Sequence, residues 1–172
     1  MLMLVITCIL LLSITWMDFK HRYVYLLIFA GLFIAIFSYS IMQNNWQTIM
    51  VQFTINSITV LLVVLVLMLY YRIKEKTAGS FFNQKLGTGD MVFWLCIAPL
   101  FSTVNFLLFF ISSLLVILCI SFCSLLLGKN KDRAIPLAGY QAILLLIVLL
   151  INQLFYRYNF SADILSLERL LS

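Results

Sequence analysis

The stretch DMVFWLCIAPLFSTVNFLLFFISSLLVILCISFCSLLL, residues 90–127, decides the fold. It is apolar almost without interruption and far longer than the roughly 20 residues that one membrane span needs. Pro99, followed by Ser102, Thr103 and Asn105, offers the only break in it. The stretch therefore reads as a short helix from Asp90 to about Leu100 and a full helix from Phe106 to Leu127. Outward from it, four more apolar runs follow the same pattern: Met1 to Met17, Tyr23 to Met42, Ile49 to Tyr71 and Ile135 to about Tyr156. Pro136 falls in the first turn of the last run, where a missing N–H costs nothing. The first run lacks a basic leader segment and a small-residue cleavage site, and reads as a transmembrane helix rather than a signal peptide.

Composition agrees with this count. The 172 residues are 65% hydrophobic and 10% charged, whereas a soluble domain is about half apolar and about a quarter charged. The expected fold is all-α: a polytopic membrane bundle of about six transmembrane helices, with residues 1–172 as one membrane-embedded domain and residues 156–172 as a short interfacial tail. In that tail Ile164, Leu167, Leu170 and Leu171 share one side, with Glu168 and Arg169 on the other.

The basic residues orient the bundle. Lys20, Arg22, Arg72, Lys74, Lys76, Lys85, Lys129, Lys131 and Arg133, nine of the eleven Lys and Arg, fall in the first, third and fifth connections. The second and fourth carry none. Such alternation puts the basic connections in the cytoplasm and both termini outside. It also requires the split at Pro99, since five spans would put the fifth connection on the wrong side. The net charge of +5 thus points to a lipid bilayer and not to nucleic acid. Trp46, in the uncharged second connection, suits a membrane interface.

Cys8, Cys96, Cys119 and Cys123 lie inside apolar runs and form no Cys-x-x-Cys pair. They read as small packing residues, and His21 as part of a basic connection, so neither a metal nor a cofactor is expected. Gln52, Asn56 and Thr59 recur on one face of the third helix, and Gln141 lies in the sixth. These groups line a water path or, as polar residues in membrane bundles more often do, hydrogen-bond between helices. Lys85 reads as a residue that orients its loop.

Of the six acidic residues, Glu75, Asp132, Asp163 and Glu168 lie in loops or the tail and read as solvated. Asp18 and Asp90 each join directly onto an apolar helix, a costly and usually functional position. The expected topology places both near the same membrane face. Two close carboxylates do not both ionise easily and share a proton, which is the chemistry of aspartic proteases. Asp90 at a helix N-terminus would be the base, and Asp18 at a helix C-terminus the acid. Gly87 and Gly89 allow positive φ and close approach of another backbone before Asp90. Relay carboxylates of an ion- or proton-coupled transporter, or an inactive membrane scaffold, are the alternative readings.

The segment Gly87-Thr88-Gly89-Asp90 at a helix start resembles the signature of the GxGD intramembrane aspartyl proteases. Asp18-Phe19-Lys20-His21-Arg22 after the first helix resembles the first motif of the prepilin peptidases (type IV leader peptidases) and the related preflagellin peptidases. Ile135-Pro136 resembles the Ile-Pro-rich start of that family's last helix. The resemblance implies catalytic Asp18 and Asp90, with Gly87 and Gly89 as supporting loop residues. It also implies a prepilin-like substrate, pilin or pseudopilin, cleaved after a short basic leader at the cytoplasmic face of a prokaryotic inner membrane. Departures are Val24-Tyr25 where the family has Ile-Pro, and Met91-Val92-Phe93 after the second Asp. The cysteine-rich loop linked to N-methylation is missing, so no methyltransferase activity is expected. Oligomeric state is left open.

Overall fold

The computed structural model describes residues 2–75, 87–126, 136–156 and 160. It is an all-α polytopic bundle with no strand among those residues. The helices are α1 (Leu2–His21), α2 (Leu26–Gln43), α3 (Trp46–Glu75), α4 (Thr88–Ile97), α5 (Thr103–Leu126) and α6 (Leu137–Ile151). A 3₁₀ turn, Ala98–Leu100, extends α4, and a π turn, Asn152–Tyr156, extends α6. The connections 76–86 and 127–135 and the tail lie outside the described residues, apart from Phe160. With them lie Lys85, Asp132, Asp163, Glu168 and the expected interfacial helix.

Every helix but α4 is long and apolar enough to cross a membrane. The ten residues of α4 and its three-residue turn rise only about 20 Å, against a hydrocarbon core of about 30 Å. The six expected helices are therefore five full-length ones and one short one, and the break falls at Pro99 as its ring dictates.

The helices bury narrow stripes and leave their other sides to lipid. On α1 the buried positions are Leu4, Thr7, Leu11, Ile14 and Asp18, spaced alternately three and four apart, the period of one helix face. This stripe packs against α6 and α2. On α6 the buried set is Ala138, Gly139, Gln141, Ala142, Leu145 and Leu149. Trp94 of α4 wedges against α5, its ring centroid 4.4 Å from that of Phe110 and 6.1 Å from that of Phe106. The Cys96 thiol donates to the carbonyl of Phe29 at 3.3 Å and ties α4 to α2. Cys119 and Cys123 are exposed. The expectation that they pack inside the bundle is corrected: their stripe of α5 faces outward with Leu115, Leu118 and Phe122.

The break between α4 and α5 frees backbone groups where no water can take them. Asn56 of α3, fully enclosed, donates through Nδ2 to the carbonyls of Ala98 and Phe101, each at 2.9 Å. The Phe160 carbonyl accepts from the Ser102 N–H at 2.9 Å and from Asn105 Nδ2 at 2.8 Å. The Phe160 ring packs on Phe101. Of the polar face expected on α3, Asn56 thus bonds between helices. Thr59 is half-buried and bonds its own helix at Ile55.

Replacing Asn56 by Leu strands two buried carbonyls at about 1–3 kcal/mol each. Asn56→Leu is expected to lower stability by about 2–4 kcal/mol, read as a loss of Tm of the purified protein in detergent. Thr59→Ala should stay within about 0.5 kcal/mol of the parent. An unchanged Tm for Asn56→Leu would remove Asn56 as the clamp of the break.

Candidate active site

Asp18 occupies the next position of the stripe that buries Leu11 and Ile14, so α1 turns its carboxylate inward. The helix continues for three residues beyond it. Arg22, in the left-handed region at φ 60°, then ends the helix, its N–H donating to the Asp18 carbonyl at 3.0 Å. Across from Asp18 stands the start of α6. The Gly139 N–H donates to Asp18 Oδ2 at 2.6 Å. Phe19 packs edge-on against Tyr140, with centroids 4.8 Å apart.

Asp90 is the third residue of α4, after Thr88 and Gly89, with Gly87 as the cap. It shares a face with the buried Phe93 and Ile97. The Asp90 carboxylate reaches back to the Gly87 N–H, as an acid at this position does in a capping box. The Ala138 N–H faces it from the other side, and Asp18 is close enough to repel it. Consecutive N–H groups at the N-terminus of α6 thus meet carboxylates from two different helices. Asp18 is 9% exposed, while Asp90 is half-buried beside the exposed Gly87 and Thr88.

The chain matches no protein-family model, no curated protein and no solved structure. What the site can do therefore rests on its own geometry.

That geometry refines the sequence reading in four places. Asp18 and Asp90 are brought together at one end of the bundle. Both carboxylates also lie on a third helix terminus, the N-terminus of α6, which the assignment of acid and base roles from α1 and α4 alone does not include. Gly89 belongs to α4 and not to a loop. A Cβ there would meet the Phe29 ring at an ordinary 3.9 Å. Gly87 has φ −65°, so it needs no positive φ, but a Cβ on it would lie 2.8 Å from Asp90 Oδ2.

Two residues of the site went unnoticed in the sequence, Ala138 and Gly139. A Cβ at Gly139 would lie 3.0 Å from Asp18 Oδ2 and 3.0 Å from two carbons of the Phe19 ring. The small pair just after Ile135-Pro136 was the available signal. Gln141, expected to bond between helices, has no hydrogen-bond partner for either end of its amide among the described residues.

The three glycines should separate by experiment. Gly139→Ala overpacks two neighbours that helix packing holds in place, and should cost about 1–3 kcal/mol. Gly87→Ala displaces only the end of the Asp90 side chain, and should leave Tm nearly unchanged. Gly89→Ala should be neutral or stabilising by up to about 1 kcal/mol. Thermal unfolding of the three variants checks the order. A loss at Gly89 as large as that at Gly139 would contradict this geometry.

Proposed function

We propose that this protein is an intramembrane aspartic endopeptidase of the prepilin-peptidase type. It cleaves the leader of a prepilin-like substrate, a pilin or pseudopilin, at the cytoplasmic face of a prokaryotic inner membrane. The observation that carries this reading is the meeting of Asp18 and Asp90, from two helices, on the N-terminus of a third. Adjacent carboxylates hold one proton between them. The ionised member takes a proton from water, and the water oxygen attacks the scissile carbonyl carbon. The protonated member gives its proton to the carbonyl oxygen. Collapse of the tetrahedral intermediate breaks the C–N bond, and a proton returned to the nitrogen releases the amine.

The surroundings support this chemistry. The N–H groups of Gly87, Ala138 and Gly139 stabilise the charge on the pair without bringing in a competing base. The partial exposure of Asp90 beside Gly87 and Thr88 leaves a side by which a peptide and water enter. The location of the pair, at the end of α1 and the start of α4, suits a substrate cut where its apolar helix leaves the membrane. A proton or ion relay would favour acids nearer the midplane. The basic connections at the same end of the bundle support a cytoplasmic orientation.

Co-expression with a prepilin-like substrate bearing a short basic leader tests the reading. Asp18→Ala and Asp90→Ala should each lower processing by more than about 100-fold at unchanged protein level, judged by immunoblot. Gly87→Ala should impair processing while leaving Tm near that of the parent. Normal processing by either aspartate variant would rule out the pair as the catalytic group.

A further inference from the structure

The Gln141 carboxamide has no place in the chemistry above, yet its surroundings demand an account. The residue is fully enclosed, at 0% exposure, and neither Oε1 nor Nε2 has a partner among the described residues. A buried amide left in this way is costly, and buried polar groups without protein partners are commonly held by internal water. Gln141 lies one turn beyond Ala138 on the same buried face of α6. Helical side chains lean toward the N-terminus and cover the preceding turn. The carboxamide is therefore directed back toward the level at which Ala138 and Gly139 meet the two carboxylates. Neither carboxylate bonds it directly, and polar groups that face one level of a bundle without direct contact are commonly bridged by water.

We propose that Gln141 binds a water molecule that bridges its carboxamide to the Asp18–Asp90 pair, making Gln141 a positioning residue for the pair. Nε2 donates to the water, and the water donates to the ionised carboxylate. Full enclosure favours water over a substrate backbone, which would have to part α6 from α1 to arrive. The inference rests on the reading of Asp18 and Asp90 as a proton-sharing pair. Among the described residues, the other titratable groups on the elements around it are few. Lys20, His21 and Cys8 belong to α1 and Arg22 follows it, with Lys20 over the Trp16 ring and His21 beside Tyr23. Tyr23 and Tyr25 precede α2, which carries Tyr39. Cys96 lies on α4, Tyr140 on α6, and the exposed Cys119 and Cys123 on α5.

The test is the pH dependence of Tm for the purified protein in detergent. It compares the parent, Gln141→Met, and each of these with Asp18→Asn and Asp90→Asn added. Gln141→Leu serves if the methionine variant does not fold. In the parent, a step should appear that the two Asn substitutions abolish. Without the water, the ionised pair loses a hydrogen bond, which disfavours its charged form. The step in Gln141→Met should then move to higher pH by about half a unit to one unit, and the pH–rate profile of processing should move with it. A step at the parental pH would overturn the bridge. A Tm raised equally at every pH would also overturn it, since it would show a dry amide whose removal merely relieves strain. If the parent shows no step that the Asn substitutions remove, the proton-sharing pair itself fails, and the bridge with it.

Discussion

A helix that begins inside an apolar bundle leaves its first N–H groups without carbonyl partners, and lipid offers none. At the start of α6 carboxylates supply the answer. Gly139 donates to Asp18 and Ala138 faces Asp90. Much else in the structure follows from that demand. Asp18 must fall in the buried register of α1, and Asp90 must stand in the first turn of a helix that starts at the same depth. Residue 139 must be small enough for a carboxylate and a phenyl ring to touch its backbone. The same contacts that complete α6 hold two acids together, which neither α1 nor α4 would do alone.

The demand returns at the other end of α4. A short helix frees carbonyls at its C-terminus, and Asn56 closes on two of them. Phe160 brings a carbonyl to the first residues of the next segment and a ring against Phe101. Trp94 anchors the middle of α4 on α5, and Cys96 ties it to α2. Asp90 is thus carried on a helix fixed at both ends and along its sides. Such support holds the Asp90 carboxylate to a narrow range of positions, as the proposed acid–base chemistry would need.

Much of the fold was legible in the sequence because apolar run length and the alternation of basic connections are strong local signals. Pro99 marked the break because its ring cannot continue a helix without losing a bond. The pairing of Asp18 with Asp90 could be reached by topology alone. Their contact with Ala138 and Gly139 could not, since it joins residues far apart in the sequence, 121 positions for Asp18 and Gly139, through backbone groups that have no side-chain signature. Gly89 misled for a related reason. It stands in a glycine-rich motif, yet only at Gly87 would a Cβ collide with the Asp90 carboxylate. The register of Asp18 with Leu11 and Ile14 was readable, and would have marked it as an inward-facing acid without reference to any motif.

The contact of Asp18 with α6 also changes how the pair should be understood. Read from α1 alone, Asp18 sits at the unfavourable end of a dipole. In the bundle the N-terminus of α6 faces both acids and gives each a backbone N–H. Asp18 lies against the Gly139 N–H and is 9% exposed, while Asp90 is half-buried beside the exposed Gly87 and Thr88. Three backbone N–H groups and the nearby Arg22 suit one negative charge shared across the pair. A second charge would have to be held in the same space with no further cation among the described residues against it, since Lys20 lies over Trp16 on the outer surface. On the proposed reading, a pair held at one charge has one member able to accept a proton and one able to give it, and the two can exchange those roles. The α6 N-terminus would then serve to hold both oxygens in place while the proton changes sides.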